Sequence, residues 1–517
     1  MTAIFAMLNL RNYRFHAEFN CGICVKMYFR TFFSQEKCEF LFKNSFNQNH
    51  VSGKNVPKSD SFEWLDSFAL KFGLKGEKVT IIHEPLQFYR TLLEKCKSAR
   101  RRITLASLYL GTGKLEQKLV ETIKERLSET SGNSESLQVK VLLDYNRGLR
   151  GKENSCTVLS PLLTQYPFLC QVALYRTPVL NGYLGDLIPQ RWNEVIGLQH
   201  MKIYLFDDSL LISGANLSND YFTNRQDRYM LIEDCPHLAD FYDGLVSCVS
   251  SCSHIVKFSE VKNTGNSGRN FHSKSLGKKL LQYYKNYKLK RDGDYVKEKQ
   301  DKDIDTWIYP LIEAGQLGVH QDSKVTERLL KSVPSGSTFH LTTGYFNLTH
   351  QYTDAILNHS VANYQVLMAH PTANGFLNAG GIAGAIPTAY TYIARAFFSK
   401  VCEACGNGGR IGLWEYCRNG WTFHAKGLWY TPSNSKALPS LTLIGSPNFG
   451  YRSVERDLET QIALVTHNKG LQQRLAEERD RLYANSPEQL SAITFTQPER
   501  AVPLWVKCFV WFFRSYF

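Results

Sequence analysis

The feature that most constrains the fold of this chain is an internal duplication. Four segments of the first half recur in the same order in the second half, each with a strand-like apolar run. The matching pairs are residues 103–111 with 339–346, 139–145 with 364–370, 197–207 with 422–430, and 211–216 with 443–448. A repeated unit of this size predicts two similar modules that pack together and share one site at their junction.

The pattern of apolar and polar residues within the first repeat predicts an α/β fold. Residues 103–109 and 139–145 are typical of buried strands, and residues 114–127 between them are typical of an amphipathic helix. Two short strands, 202–207 and 210–213, follow. Strands that alternate with helices favour a layered α/β architecture.

These patterns divide the chain into five parts. We expect the two repeats at residues 76–255 and 306–500, with a basic linker at 256–305 between them. Residues 1–75 are expected to be a leader with a polar connector. Residues 501–517 are rich in aromatic side chains and too short to cross a bilayer, so we expect a tail that lies in a membrane interface. The alternative for this tail is a helix docked on the core.

The start of the chain is basic and aromatic, and Glu18 is its only acid before Glu36. This composition is typical of a mitochondrial transit segment. Its low serine content leaves an ordinary tail as the alternative.

The charge of the chain favours an anionic partner. The formal net charge is +14, and nine basic residues without any acid lie between residues 262 and 291. Nucleic acid, an acidic membrane surface and a phosphorylated substrate all fit such an excess. No uninterrupted apolar run approaches the roughly 18–20 residues that a membrane-spanning helix needs, which excludes a polytopic membrane fold.

The cysteines point to free thiols rather than to a disulfide framework. There are 13 of them, an odd number and sparse for this length. Two pairs have CxxC spacing, Cys21 with Cys24 and Cys402 with Cys405, but they lie far apart and no histidine cluster joins them. We therefore expect no metal site.

Each repeat carries a His-x-Lys triplet, His200 with Lys202 and His424 with Lys426. The same spacing occurs elsewhere by chance, at His272 and at His467. Only the two repeated triplets are followed by an apolar strand, a second strand and a small-residue turn that ends in asparagine. Since residues i and i+2 of a strand point to one side, each histidine is expected to share a side with its lysine.

The small-residue turns end in Asn216 and Asn448, and the second turn also contains Ser446. Eleven residues after each asparagine comes an acid, Asp227 in the first repeat and Glu459 in the second. Each repeat thus offers an imidazole, an ammonium group, a carboxamide and a carboxylate.

This set of groups suits transfer of a phosphoryl group. Such a reaction needs a nucleophile, a proton donor for the leaving oxygen, and cations or amides around the phosphate oxygens. The two histidines fit the first two roles, and the lysines and asparagines fit the third. Each carboxylate could fix the tautomer of a histidine and raise its basicity. The residues alone leave the roles of the two histidines exchangeable.

The first triplet, extended by Asp207 and by Gly214-Ala215-Asn216, resembles the motif of the phospholipase D superfamily. The second triplet is similar but has Thr431 in place of the aspartate. The resemblance implies two phospholipase D-like α/β sandwich repeats, each a mixed sheet flanked by helices, with one active site at their pseudo-twofold junction. It places Asp207 among the catalytic residues in a structural role. The second repeat has Thr431 at the matching position, and this difference is expected to affect hydrolysis more than phosphoryl transfer.

A longer resemblance spans roughly residues 79–490. The residues that carry it are 107–113, 143–151, 197–208, 213–229, 342–347, 383–390, 419–430 and 444–461. In these segments the chain resembles the phospholipase D-type phosphatidylglycerophosphate synthases of mitochondria.

This resemblance implies transfer from CDP-diacylglycerol to glycerol 3-phosphate without a cofactor. His200 would form a phosphatidyl-histidine, and His424 would protonate the departing CMP and then deprotonate the acceptor. It implies an enzyme of the mitochondrion, peripheral on the inner membrane and in contact with anionic lipid. Arg147 and Arg150 are predicted phosphate contacts, with surface arginines as the alternative.

Three other functions remain open at this point. The same site could serve another lipid hydrolase or phosphatidyltransferase. A nucleic-acid phosphodiesterase would fit the charge, but only Tyr283, Tyr284 and Tyr287 interleave the basic run, so we expect no nucleic-acid partner. A non-catalytic relative is disfavoured by the two intact His-x-Lys pairs.

Overall fold

The structure is a computed structural model of the 517-residue chain. It describes residues 62–130, 136–180, 194, 196–257, 273–300, 303–405, 409–435 and 437–516. The expected transit segment, with Cys21 and Cys24, lies outside the described residues.

The strands of the described residues form two large sheets and one small one. They are β1 Phe72–Leu74, β2 Val79–Ile82, β3 Arg102–Ala106, β4 Gln138–Asp144, β5 Cys170–Tyr175, β6 Ile203–Phe206, β7 Ser209–Ser213, β8 Arg225–Gln226, β9 Tyr229–Ile232, β10 His254–Ile255, β11 Thr306–Ala314, β12 Val319–His320, β13 Thr338–Thr343, β14 Asn363–Ala369, β15 Ile411–Tyr416, β16 Thr422–Phe423, β17 Gly427–Thr431, β18 Leu441–Gly445 and β19 Leu458–Thr466.

The α-helices flank these sheets. They are α1 Pro85–Ser98, α2 Lys114–Thr130, α3 Tyr145–Gly148, α4 Ser155–Gln165, α5 Asn219–Thr223, α6 Pro236–Ser250, α7 Leu276–Gln300, α8 Gln321–Lys331, α9 His350–Asp354, α10 Ile386–Cys405, α11 Tyr451–Glu455, α12 Lys469–Tyr483 and α13 Leu504–Phe513.

The two large sheets share one order over seven strands, and each has a further edge strand without a counterpart, β10 in the first and β1 in the second. The first has the order β10-β5-β4-β3-β6-β7-β9-β2, and the second has the order β15-β14-β13-β17-β18-β19-β11-β1, with β12 beside β11. In each sheet three strands run parallel (β3-β4-β5 and β13-β14-β15) and the following ones antiparallel. The predicted fold of two α/β repeats, each with a mixed sheet, is confirmed.

Each sheet has its own apolar core. Helix α2 shows how the sequence pattern builds the first one, because its buried residues Leu119, Val120, Ile123 and Leu127 recur at spacings of three and four. The second core includes Phe62 and Leu65, and β1 pairs with β11. Residues 62–74 of the expected leader and connector thus pack with the second sheet.

The carboxyl-terminal part of the expected basic linker forms helix α7, which packs against α6. The hydroxyl groups of Tyr283 and Tyr287 donate hydrogen bonds to the backbone carbonyls of Phe241 and His237, at 2.7 and 2.5 Å. Six lysines of residues 274–290 are exposed; they are Lys274, Lys278, Lys279, Lys285, Lys288 and Lys290. Tertiary packing therefore orders a segment whose charge pattern predicted a linker.

Helix α13 packs on the second core through Val506 and Val510. Within the part of the chain that the structure describes, no helix combines the length and apolarity needed to cross a membrane.

Candidate active site at the junction of the two repeats

Backbone hydrogen bonds between the two repeats hold the histidine segments together at two places. The amide of His200 donates to the carbonyl of Leu458 at 2.8 Å, and the amide of Leu458 donates to the carbonyl of Leu198 at 2.8 Å. In the mirror arrangement, β16 pairs with β8 and the amide of His424 donates to the carbonyl of Gln226 at 2.8 Å. Each histidine is therefore held on backbone of the opposite repeat.

The carboxylates are also exchanged between the repeats. Nδ1 of His200 lies 2.9 Å from Oε2 of Glu459, and Nδ1 of His424 lies 2.6 Å from Oδ2 of Asp227. A buried carboxylate accepts a hydrogen bond from Nδ1–H and so leaves Nε2 as the basic nitrogen. The sequence placed one carboxylate in each repeat, and the structure brings each to the histidine of the other repeat.

Burial keeps the two imidazoles neutral. It lowers the pKa of His200 and of His424 well below the usual value, and the neighbouring charges of Lys202 and Lys426 add to the effect. Burial also raises the pKa of the Asp227 carboxyl, to about 6, against the opposing charge of Lys426.

The two lysines are buried, each beside the histidine of its own triplet. Lys202 is fully buried and its Nζ donates to the carbonyl of His200 at 2.7 Å. Nζ of Lys426 lies 3.0 Å from Nδ1 and 3.1 Å from Nε2 of His424. Burial lowers the pKa of Lys426 to about 8 and that of Lys202 well below its usual value. Such poorly solvated ammonium groups are suited to bind an anion.

The turns after β7 and β18 add two carboxamides. The side-chain oxygens of Asn216 and Asn448 are buried and have no hydrogen-bond partner among the described residues. Nδ2 of Asn216 donates to the hydroxyl of Tyr221 at 3.1 Å. The hydroxyl of Ser446 donates to the carbonyl of Thr460 at 3.1 Å, so it joins β18 to β19.

Glycine allows the backbone to approach the site residues closely at two places. A Cβ on Gly214 would lie 2.7 Å from Oδ1 of Asp227 and 3.0 Å from Cδ of Lys426. A Cβ on Gly344 would lie 2.8 Å from Cα of His424. Both contacts are too short for a larger residue.

Asp207 lies at the other end of β6 from His200. Its carboxylate accepts from the backbone amides of Arg100, Arg101 and Arg102 at 2.9, 2.8 and 3.1 Å. Its place is therefore at the start of β3, away from the imidazoles. The corresponding hydroxyl of Thr431 is buried without a hydrogen-bond partner among the described residues.

Arg147 and Arg150 share one acid. Their Nη1 atoms lie 3.2 and 3.3 Å from the carboxylate of Glu194, and the guanidinium of Arg147 lies 4.5 Å from the ring centroid of Tyr109. Both arginines therefore have an internal ion-pair partner.

Several residues near His424 were not predicted from the sequence. The hydroxyl of Tyr221 lies 3.2 Å from Nε2 of His424, and the ring of Tyr345 packs edge-on at 5.5 Å from the imidazole. Arg225 stacks over the Tyr221 ring at 4.7 Å and pairs with Asp220 at 3.0 Å. A sequence signal was present for Tyr345 alone, since both repeats have a tyrosine in the loop after their first matched strand, Tyr109 and Tyr345.

One group of three described residues has the spacing of metal ligands: His200, Asp457 and Glu459, with ligand atoms within 4.8 Å of one another. Asp457 already accepts from Nε of Arg452 at 3.1 Å and from the backbone amide of Leu198 at 2.9 Å. Asp457 therefore has hydrogen-bond partners of its own, whereas Oε1 of Glu459 is buried without one among the described residues. Cys402 is a free thiol.

The two repeated sheets, with their His-x-Lys segments facing each other at the junction, form a duplicated α/β fold with one candidate site between the repeats. The phosphatidylserine synthase of Haemophilus influenzae Rd KW20 shares this fold, with a TM-score of 0.65 at 19% identity over 87% of this chain and 96% of that chain. No family model matches the chain.

Curated relatives identify the family of this chain. The mitochondrial CDP-diacylglycerol–glycerol-3-phosphate 3-phosphatidyltransferases of Homo sapiens and Gallus gallus are each 44% identical to the chain, covering 88% of it and 86% of their own length. The protein of that name from Saccharomyces cerevisiae is 34% identical over 84% of this chain and 87% of its own length. The chain belongs to the family of CDP-diacylglycerol–glycerol-3-phosphate 3-phosphatidyltransferases.

Proposed function

We propose that this chain transfers the phosphatidyl group of CDP-diacylglycerol to glycerol 3-phosphate, giving phosphatidylglycerophosphate and CMP. The observation that carries the mechanism is the pair of neutral imidazoles, each held by a carboxylate of the opposite repeat, beside two buried lysines. Membership of the family supplies the substrates.

His200 is the nucleophile in this proposal. Its Nδ1 faces Glu459, and its Nε2 has no hydrogen-bond partner among the described residues. Nε2 of His424, in contrast, accepts from the hydroxyl of Tyr221 at 3.2 Å. A free Nε2 lone pair with a carboxylate behind Nδ1 is the arrangement that favours nucleophilic attack.

In the first step, Nε2 of His200 attacks the phosphorus atom that carries the diacylglycerol. The bond from phosphorus to the CMP oxygen breaks, and His424 gives that oxygen a proton. The anionic diphosphate raises the pKa of His424 as it binds, and Asp227 stabilises the protonated imidazole. Positive charge on the phosphatidyl-histidine faces Glu459.

In the second step, the primary hydroxyl of glycerol 3-phosphate takes the place of CMP. Neutral His424 accepts its proton, the oxygen attacks phosphorus, and the bond to His200 breaks. The four groups that stabilise the phosphate oxygens in both steps are Lys202, Lys426, Asn216 and Asn448. Arg147 and Arg150 contact the phosphate of the nucleotide or acceptor in exchange for Glu194.

We further propose that the enzyme is mitochondrial and peripheral on the inner membrane. Relatives named as mitochondrial and the exposed lysines of α7 support this placement. The tyrosines of the basic helix pack on Phe241 or bind backbone instead of forming a stacking surface, which disfavours nucleic acid. The division into repeats at 76–255 and 306–500, with the linker 256–305 and the leader 1–75, is part of this proposal.

The test is incubation with labelled CDP-diacylglycerol and a panel of acceptors: glycerol 3-phosphate, serine, phosphatidylglycerol and water alone. We expect CMP release and labelled phosphatidylglycerophosphate only with glycerol 3-phosphate. Phosphatidic acid as the main product would indicate a hydrolase, and product from another acceptor would indicate a different transferase. Cleavage of a labelled RNA or DNA oligonucleotide in parallel, without lipid product, would overturn the proposal.

A further inference from the structure

We propose that the C-terminal segment, residues 504–516, connects an anionic lipid surface to the active-site wall around His424. This inference rests on the proposed function, because it assigns a device for presenting a lipid substrate. The segment has an exposed apolar face at one side and hydrogen bonds to active-site loops at its end.

The outer face of α13 is an apolar stripe. Leu504, Trp505, Trp511 and Phe512 are 75%, 52%, 58% and 56% exposed, and Cys508 between them is exposed as well. Positions 504, 505, 508, 511 and 512 lie on one side of a helix, since 3.6 residues make a turn. Such a stripe is uncommon on the surface of a soluble protein and marks an interaction site.

The inner end of the segment is held by two reciprocal hydrogen bonds between Arg514 and Asn347. Nε of Arg514 donates to Oδ1 of Asn347 at 3.0 Å, and Nδ2 of Asn347 donates to the carbonyl of Arg514 at 2.8 Å. Arg456 donates to the carbonyl of Ser515 at 3.0 Å and stacks on the ring of Tyr516 at 3.7 Å.

These anchors belong to the two loops that build the second half of the site. The loop after β13 contains Tyr345, whose ring contacts His424, and Asn347, which is buried. Thr343 of the preceding strand donates to the carbonyl of Asn448 at 3.1 Å. The segment therefore bonds to a loop that also contacts the acid-base histidine.

The occupant of the apolar stripe in this proposal is a bilayer that contains anionic lipid. The acyl chains of CDP-diacylglycerol stay in the membrane while its headgroup reaches the junction, so the enzyme needs a lipid-facing surface. Residues 501–517 include Lys507 and Arg514 and no acid. Tryptophan and phenylalanine beside basic groups are the composition of helices that lie in a membrane interface.

The outer face is tested with the double variant Trp511→Ser/Phe512→Ser. The matched control is Ile493→Ser, which removes an apolar side chain that is 76% exposed but lies outside the segment. We expect the double variant to bind anionic vesicles containing CDP-diacylglycerol at least tenfold more weakly and to raise KM on them. Its kcat for CMP release from a short-chain CDP-diacylglycerol in true solution should match that of the unaltered enzyme.

Unchanged vesicle binding by the double variant would overturn the proposal. So would a concentration-dependent dimer of the unaltered protein that the double variant abolishes, because a second copy would then cover the stripe. Failure of the proposed function can be told apart from failure of this inference. The first would show as no CMP release by the unaltered enzyme from either substrate. Vesicle binding is measured separately, by sedimentation.

The inner connection is tested with Asn347→Ala and Arg514→Ala, singly and together. We expect vesicle binding to persist and kcat to fall about tenfold on both the vesicle and the soluble substrate, with the double variant no worse than either single one, as for residues that act through one contact. Arg514→Lys, which keeps the charge but loses the planar donor, should rescue kcat only in part. Unchanged kcat in Asn347→Ala, with thermal unfolding at the normal temperature, would overturn the connection.

Discussion

Replacing Glu459 by glutamine isolates the negative charge that faces His200. The two side chains are nearly equal in size, and the carboxylate is fully buried with its Oε2 at 2.9 Å from Nδ1 of the imidazole. An amide oxygen in that place can still accept a hydrogen bond from Nδ1–H, so the ring keeps its tautomer. What the variant loses is the charge that stabilises a positively charged phosphatidyl-histidine.

The size of the loss follows from the geometry. Two unit charges about 4 Å apart interact by about 4 kcal/mol at an effective dielectric constant of about 20. Because the retained hydrogen bond offsets part of this, we expect a 10²- to 10³-fold slower first step, about 3–4 kcal/mol in the barrier.

The assay is single-turnover release of CMP from labelled CDP-diacylglycerol, without acceptor, by rapid quench. Glu313→Gln is the matched control, because Glu313 is a buried acid that also faces a histidine, Nδ1 of His320 at 2.7 Å. The control should release CMP at close to the unaltered rate. A rate for Glu459→Gln within a few-fold of the control, in a folded protein, would refute the role given to the exchanged carboxylate.

Four further expectations can be checked with the same protein. His200→Ala should abolish transfer with little change in the unfolding temperature, and near-normal synthesis of phosphatidylglycerophosphate would contradict it. Chelation with EDTA should leave transfer intact, whereas loss restored by one divalent ion alone would contradict that. The value of kcat/KM should fall below about pH 6, as Asp227 is protonated, and above about pH 8, as Lys426 loses its charge. Lys426→Arg should move the alkaline limb to higher pH, and an unmoved limb would exclude Lys426 as the group that titrates there. Glu478→Gln should cost about 3–5 kcal/mol in the free energy of unfolding by urea, because the buried Arg228 loses the negative charge that faces it at 2.8 Å. A cost below about 1 kcal/mol would argue against that pair.

The fold was predictable where local pattern determines structure. Apolar runs marked β3, β4, β6 and β7, and helical spacing marked α2, each within a few residues of its observed bounds. Elements that depend on tertiary contacts were not predictable. Strand β1 is three residues long and forms only by pairing with β11, and α7 is held by tyrosines that dock on α6.

The histidines and carboxylates of the candidate site could be predicted from the sequence, but the contacts between them could not. The spacing of His200 and His424 before their lysines, repeated in matched contexts, identified both imidazoles. Which carboxylate serves which histidine depends on how the repeats face each other, and no local pattern encodes that. The role of Tyr221 was missed for the same reason, since its hydroxyl meets a histidine from the other repeat.

A duplicated site supplies two equivalent imidazoles, yet a two-step transfer needs one nucleophile and one acid-base group. The repeats differ at the position five residues after each asparagine, where Tyr221 corresponds to Ser453. The tyrosine reaches Nε2 of His424, while the shorter serine accepts the backbone amide of Asn448 at 3.0 Å. Nε2 of His200 therefore has no hydrogen-bond partner among the described residues. Tyr221 and Lys426 thus both face Nε2 of His424, whereas Lys202 bonds to the carbonyl of His200 rather than to its imidazole. This difference is what assigns the nucleophile and the acid-base group in the proposed mechanism.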